Sequence, residues 1–158
     1  LRTTTTLEPL WIQGDLSHLQ QAIENLLFNA RDATFEMRNH LREQARHSGG
    51  GEHERRQALI AAAAWKGETT LTTFVRDDRA ILEVHDNGIG MTEEVRKRCT
   101  ETHFTTKRDN ALYEGIHTGM GLGLSFVMVI VEHHRAKLEI ESEPGKGTTF
   151  RLSFPKSG

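Results

Sequence analysis

Four segments carry residue types whose spacing could hold a phosphorylated, ring-bearing ligand. In the first, His18, Gln21, Asn25, Asn29 and Asp32 recur at three- and four-residue steps and form one polar stripe if the segment is helical. Asparagine is a poor helix former with no local reason to recur on one face. Its amide oxygens therefore read as ligands for a cation and phosphate cluster, a solvated face being the plainer alternative, and oxygen donors suit magnesium. The second is Asp86-Asn87-Gly88-Ile89-Gly90-Met91. Asn-Gly is a common turn pair, yet an aspartate at a strand end beside two glycines also offers a charged acceptor to the exocyclic amine of adenine. The third, Gly119-Met120-Gly121-Leu122-Gly123-Leu124-Ser125, opens an apolar helical stretch. Alternate glycines let backbone N–H groups converge where a helix N-terminus already favours anions; close helix packing is the competing use. Between the second and third lies a long polar segment containing His103-Phe104-Thr105-Thr106-Lys107. A connection of that length is uncommon in a compact domain unless functional, and active-site lids are a usual reason.

Other phosphate and metal patterns fail. Gly145-Lys146-Gly147-Thr148 resembles the end of a Walker A loop, but Ile140 occupies the upstream glycine position, glycine follows the lysine, and a strand follows where a helix is required. No G-x-G-x-x-G follows a strand, and no H-E-x-x-H occurs. Nine histidines with one cysteine therefore make no metal site by spacing.

The elements that must position these segments follow from periodicity. Leu19, Ile23, Leu26, Leu27, Ala30 and Ala33 give an amphipathic helix from Leu16, with Asp15 or Ser17 as N-cap, continuing to about Arg46. Ser48-Gly49-Gly50-Gly51 interrupts it, and Glu52 to Trp65 forms a second helix stopping at Lys66-Gly67. The period then changes to two. Thr69 to Arg76 and Arg79 to His85 form a hairpin across Asp77-Asp78, with Ala80, Leu82 and Val84 inward. Thr92 caps a short helix to Cys99, and Leu122 to His134 is a buried helix. Ala136 to Ser142 and Thr148 to Phe154 form a second hairpin across Pro144-Gly145, with Leu138, Ile140, Phe150, Leu152 and Phe154 inward. One wet face per strand predicts a two-layer α/β sandwich, helices covering one side of the sheet.

In this order and spacing the segments resemble the ATP-binding catalytic domain of sensor histidine kinases, within the superfamily of type II topoisomerases and mismatch-repair ATPases. Glu24-Asn25-Leu26-Leu27-Phe28-Asn29-Ala30 is similar to the family's asparagine box and Asp86-Asn87-Gly88-Ile89-Gly90 to its first glycine box. Phe104-Thr105-Thr106-Lys107 resembles the end of the phenylalanine box, Gly119 to Ser125 the second glycine box, and Gly147-Thr148-Thr149-Phe150 the terminal one. The resemblance runs from about Trp11 to Phe154. It implies a Bergerat-type fold: a mixed, mainly antiparallel sheet with helices on one face, in a single domain over residues 1–158. It implies ATP and Mg²⁺ as ligands, Asn29 on the metal with Asn25 beside it, and Asp86 on the adenine amine. Gly88, Gly90, Gly119, Gly121, Leu122, Gly123 and Thr148 would line the nucleotide, and residues 100–118 would be its lid.

Hydrolytic relatives carry a glutamate four residues before the magnesium asparagine. Asn25 stands there and cannot accept a proton, which predicts slow hydrolysis and transfer of the γ-phosphate to an imidazole on a separate helical domain. Glu24, about 100° round the helix from Asn25, is the base in an alternative hydrolytic reading. A noncatalytic nucleotide sensor is a second alternative and a serine-directed kinase on the same fold a third. Asp32 replaces the lysine common three residues after the magnesium asparagine, leaving Arg31, Lys107 or Arg108 to meet phosphate. Residues 34–67 exceed the family's short connection and read as an inserted helical hairpin. His53-Glu54-Arg55-Arg56 superficially resembles the phosphoacceptor motif but lies on the wrong side of the asparagine box and lacks the proline.

Composition bounds the rest. Twenty Lys plus Arg against 22 Asp plus Glu give −2, no basis for nonspecific attraction to nucleic acid or an anionic membrane. The expected partners are ATP, the histidine-bearing dimerisation domain of a longer protein from which this chain is excised, and a response regulator. Cys99 alone allows no intrachain disulfide, which fits a cytoplasmic domain, with any inner-membrane anchor elsewhere in the full-length protein.

Overall fold

A computed structural model of the chain describes residues 1–101 and 123–157. Among these residues five strands and four helices follow in the order β1 (Arg2–Thr4), α1 (Leu16–Arg46), α2 (Glu52–Ala64), β2 (Thr69–Arg76), β3 (Arg79–Asp86), α3 (Glu93–Arg98), α4 (Gly123–His133), β4 (Lys137–Glu143) and β5 (Gly147–Pro155). The sheet order is β1-β2-β3-β5-β4, antiparallel except for the parallel β1–β2 pair. The expected two-layer sandwich with a mixed, mainly antiparallel sheet is what forms.

Side-chain alternation decides which face is dry. Ala80, Val84, Phe150, Leu152 and Phe154 project from the sheet onto Ala22, Leu26 and Ala30 of α1 and Val127, Ile130 and Val131 of α4. Burying side chains of this size contributes roughly 1.5–3 kcal/mol each for the larger ones, so this layer holds the two helices in place. The other face is largely polar. There the half-exposed Glu139 and the more exposed Glu141 bracket Arg151, which bonds Glu83 at 2.8 Å, Glu139 at 3.2 Å and Glu141 at 3.0 Å. Ile81 departs from the alternation. It belongs by register to the polar face yet is only 2 % exposed, opposite Ser153, itself buried and bonded by Arg79 at 2.7 Å.

α1 begins where expected. Asp15 has extended backbone, and its carboxylate accepts the His18 amide at 2.9 Å, a side-chain N-cap. The helix then runs unbroken past Asn29 to Arg46, and α2 packs against it as the second arm of a helical hairpin. The end of α2 differs from the sequence reading. The helix stops at Ala64 and Trp65 is already extended, with no glycine cap. Gly67 serves another purpose, since a Cβ there would stand 2.7 Å from Thr34 Cβ. β1 is also additional: three exposed residues, Arg-Thr-Thr, carry no readable alternation. Cys99 is buried, and burial pushes its thiol above the usual range, as a structural cysteine requires. Among the described residues no helix is long and apolar enough to cross a membrane.

The β2–β3 turn places Asp77 and Asp78 at φ 51° and 56°, the left-handed pair that a two-residue hairpin needs. α4 ends in a Schellman-type turn, with the Ala136 amide on Val131 O at 2.9 Å and Arg135 at φ 51° in the position that favours glycine. Arg135→Gly is therefore expected to stabilise the fold by about 1 kcal/mol. Thermal denaturation checks this as a rise of roughly 2–4 °C in Tm; an unchanged or lower Tm contradicts it.

Candidate nucleotide site

The site is built where β3 ends. Asp86 closes the strand, is 1 % exposed, and its Oδ1 accepts the Gly88 amide at 2.8 Å. Burial pushes its carboxyl up to about 6, against the Gly88 amide and the nearby His85 and Thr148, which favour the charged form. Burying a carboxylate without a paired cation costs folding energy, and among the described residues no ion pair reaches this one. It has the chemistry of a group waiting for a donor.

The chain beyond Asp86 is held by its neighbours on three sides. Asn87 takes the Glu68 amide on Oδ1 at 2.7 Å and donates from Nδ2 to Lys66 O at 3.0 Å, so it fastens the α2–β2 connection. A Cβ on Gly88 would stand 2.5 Å from the Ala33 carbonyl carbon, and the Ile89 amide bonds Ala33 O at 3.0 Å, so the turn presses flat on α1. Gly90, at φ 70°, faces the Glu143 carbonyl with no room for a side chain, and the Gly145 amide donates to Ile89 O at 2.6 Å. The two glycines of this box thus dock on two different elements, α1 and the β4–β5 hairpin.

Thr148 pairs with Asp86 across the β3–β5 ladder and is buried. Its hydroxyl lies 2.8 Å from Ser142 Oγ, which also accepts the Met91 amide at 2.8 Å and reaches Gly147 O at 3.0 Å. Ser142 was not singled out from the sequence. A serine on the inward side of a strand was the available signal, because a buried hydroxyl must find partners.

Asn25 and Asn29, one helical turn apart, share the α1 face beside the apolar one and are partly buried. A Cβ on Gly123, the first residue of α4, would stand 3.8 Å from Asn25 Oδ1. The asparagine helix and the start of the glycine-opened helix therefore meet. Glu24 does not join them: it is exposed and accepts a bond from Gln20 Nε2 at 2.9 Å. Arg31 also turns away, with its guanidinium 5.2 Å from the Phe28 ring centroid and paired to Asp32. His53 is exposed and bonded to Gln57. His134 is buried, with Nδ1 on Ile130 O at 2.7 Å and Nε2 accepting the Asp15 amide at 2.9 Å, a structural role tying α4 to the start of α1. Lys107, Arg108, Gly119, Gly121 and Leu122, and all of the expected lid beyond Glu101, lie outside the described residues.

Comparison with known proteins bears on the same segments. The family model described as histidine kinase-, DNA gyrase B-, and HSP90-like ATPase matches residues 14–158. The chain belongs to this ATPase family. The curated relatives of the ATPase domain are sensor kinases. It is 32% identical over 148 residues to the sensor kinase CckA of Brucella abortus, covering 93% of this chain and 13% of that protein. It is 27% identical over 157 residues to sporulation kinase A of Bacillus subtilis, covering 99% of this chain and 20% of that protein. The chain thus spans a fifth or less of these two relatives. In fold it is similar to the catalytic domain of the histidine kinase ThkA, with TM-score 0.65 and 23% identity over 99% of this chain and 79% of that one. It is also similar to full-length ShkA in complex with AMPPNP, with TM-score 0.67 and 21% identity over 99% of this chain and 25% of that one.

The donor set fits a cation that arrives with its nucleotide. Among the described residues there is no group of three or more His, Cys, Asp or Glu able to hold a metal ion alone. Amide oxygens on one helix face suit magnesium when phosphate and water complete its shell.

Proposed function

We propose that the chain is the catalytic and ATP-binding domain of a two-component sensor histidine kinase. It would bind Mg·ATP and present the γ-phosphate to a histidine on a separate dimerisation domain, from which a response regulator is phosphorylated. The observation that carries this reading is that α1 meets both the start of α4 and the turn after β3. Asn25 lies against Gly123, and about two turns on Ala33 takes the Ile89 amide beside the buried Asp86, whose Oδ1 is on Gly88. In this reading Asn29, with Asn25 beside it, holds Mg²⁺, which supplies charge neutralisation on the phosphates. Asp86 takes the adenine amine, Gly88 and Gly90 let the ring approach backbone, and Gly123 with Thr148 lies at the pocket rim. Residues 1–158 then form one domain, with 34–67 as an inserted hairpin.

Two features of the asparagine helix itself favour transfer over hydrolysis in this reading. Asn25 is neutral, and the one carboxylate near it in sequence, Glu24, points to solvent and Gln20. A missing base is worth roughly 10²- to 10⁴-fold in hydrolysis rate. The test mixes this domain with the histidine-bearing helical domain of its full-length protein and radiolabelled ATP. The expected result is acid-labile label on the partner, with Glu24→Ala leaving slow steady-state hydrolysis within about twofold. A loss of about a hundredfold or more on Glu24→Ala would establish the hydrolytic alternative, and no transfer would leave a nucleotide sensor.

A further inference from the structure

α1 presents a second ordered face that the nucleotide site does not use. At 100° per residue, Glu24, Phe28, Arg31, Phe35, Arg38 and Arg42 fall within an arc of about 80°, opposite Ala22, Leu26 and Ala30 of the core. Phe28 and Phe35 are 53 % and 50 % exposed. Each carries a guanidinium over its ring, Arg31 at 5.2 Å from the Phe28 centroid and Arg38 at 5.7 Å from that of Phe35. Two phenyl rings a heptad apart, about 10.5 Å along the axis, form the seam that one partner helix needs. Stacking occupies the flat face of a guanidinium and not its in-plane donors; Arg31 directs two of these to Asp32, so Arg38 and Arg42 are the cations this face offers to carboxylates.

We infer that this face docks an amphipathic helix whose apolar seam is flanked by acidic residues. Charge decides the occupant. Arg38, Arg42 and Arg46, which falls on the same arc, against a single glutamate at the N-terminal end oppose a second copy, which would bring the arginine row against itself. A net charge of −2 opposes capture of the whole domain by an anionic bilayer or single-stranded nucleic acid. The inference does not rest on the kinase reading: Arg31, a phosphate candidate in the sequence, turns to Phe28 and Asp32, and the phenylalanines, Arg38 and Arg42 have no part in nucleotide binding there.

The probe is a labelled three-heptad peptide with Leu at a and d and Glu at e and g, and its twin with Lys at e and g, followed by fluorescence anisotropy. The Glu peptide should bind the wild-type domain saturably at low salt and the Lys twin should not. Phe35→Ala should weaken binding roughly tenfold, and the charge reversal Arg38→Glu with Arg42→Glu should switch preference to the Lys twin. Both changes lie on an exposed face, and circular dichroism confirms that the variants fold. The inference is overturned if the Glu peptide fails to bind, if the twins bind alike, or if the reversal leaves preference unchanged. It is also overturned if sedimentation shows a dimer that Phe35→Ala dissolves, or if phosphatidylserine vesicles retain the wild type but not that variant.

Discussion

Asp86→Asn is expected to abolish adenine nucleotide uptake while making the protein more stable at neutral pH. The carboxylate has two oxygens with two duties: Oδ1 takes the Gly88 amide at 2.8 Å, and the other is the proposed acceptor for the adenine amine. An asparagine keeps one oxygen and gains an NH₂. With the oxygen held by Gly88, a donor would face a donor across the pocket, and the unmade charge-assisted bond with the desolvated amine costs roughly 100-fold in affinity.

The stability change has the opposite sign. The native carboxyl titrates near 6 rather than at 3.8, so between those values it keeps a proton that the unfolded chain has released. Stability therefore falls as pH rises through that window and stays reduced above it. Two pKa units at 1.36 kcal/mol each put the penalty at up to about 3 kcal/mol. The asparagine variant has none of it. Urea midpoints of the two proteins should coincide near pH 4 and separate by pH 7 in favour of the variant, while calorimetry with Mg·ATP shows binding only by the wild type. Uptake weakens below pH 6 for the same reason, as the proton occupies the acceptor. Equal affinities would remove Asp86 from the site, and a less stable variant at pH 7 would remove the buried charge as the cause.

Gly147→Ala is expected to be, with Gly90→Ala, among the most damaging single-methyl substitutions at the described glycines. Gly147 sits at φ 95°, a conformation costly to any L side chain, and its Cβ would run into the Asp86 carbonyl oxygen with Asn87 Cα at 2.9 Å. These are backbone atoms at the closed end of the β3–β5 ladder and cannot swing aside. The left-handed penalty of roughly 1–2 kcal/mol adds to an overpacking cost of about 1–3 kcal/mol, a large share of a typical domain's stability. Gly145→Ala is the control. Its φ of 75° carries a similar backbone penalty, but nothing stands within 4 Å of the added atom. Denaturant midpoints should fall for both and about twofold further for Gly147→Ala, whose residual folded fraction should also bind nucleotide poorly, because relief of the clash moves Asp86. Equal losses would show that the ladder end yields.

The layered fold was legible wherever one side of an element is dry. Ala80-x-x-x-Val84 and Phe150-x-Leu152-x-Phe154 declare their inward face, Asp15 and Thr92 cap the helices they precede, and the Asp77-Asp78 turn falls where it was expected. Of the candidate site, the paired asparagines and the first glycine box could be read from residue spacing, while Gly119 and Gly121 of the second box lie outside the described residues. Contacts between distant segments left little trace. Gly67 looked like a helix cap because its true constraint, Thr34, lies on another helix. Ser142 looked like any polar strand residue because its three partners come from the start of β5 across the hairpin and from the loop after β3. Ile81 sits on a face that alternation assigns to water, and β1 is too short to alternate at all.

The sheet ends on β4, whose unpaired side is its open edge. Lys137, Glu139, Glu141 and Glu143 fill every other position of that strand, and Arg76 and Arg151 hold the Glu139 carboxyl below the usual range, so it stays ionised in mild acid. A foreign strand approaching edge-on would have to stack its own side chains on that glutamate row, which guards the sheet against growth into fibrils at neutral pH. Strong acid neutralises the glutamate row, and the protection its charge gives this edge is lost.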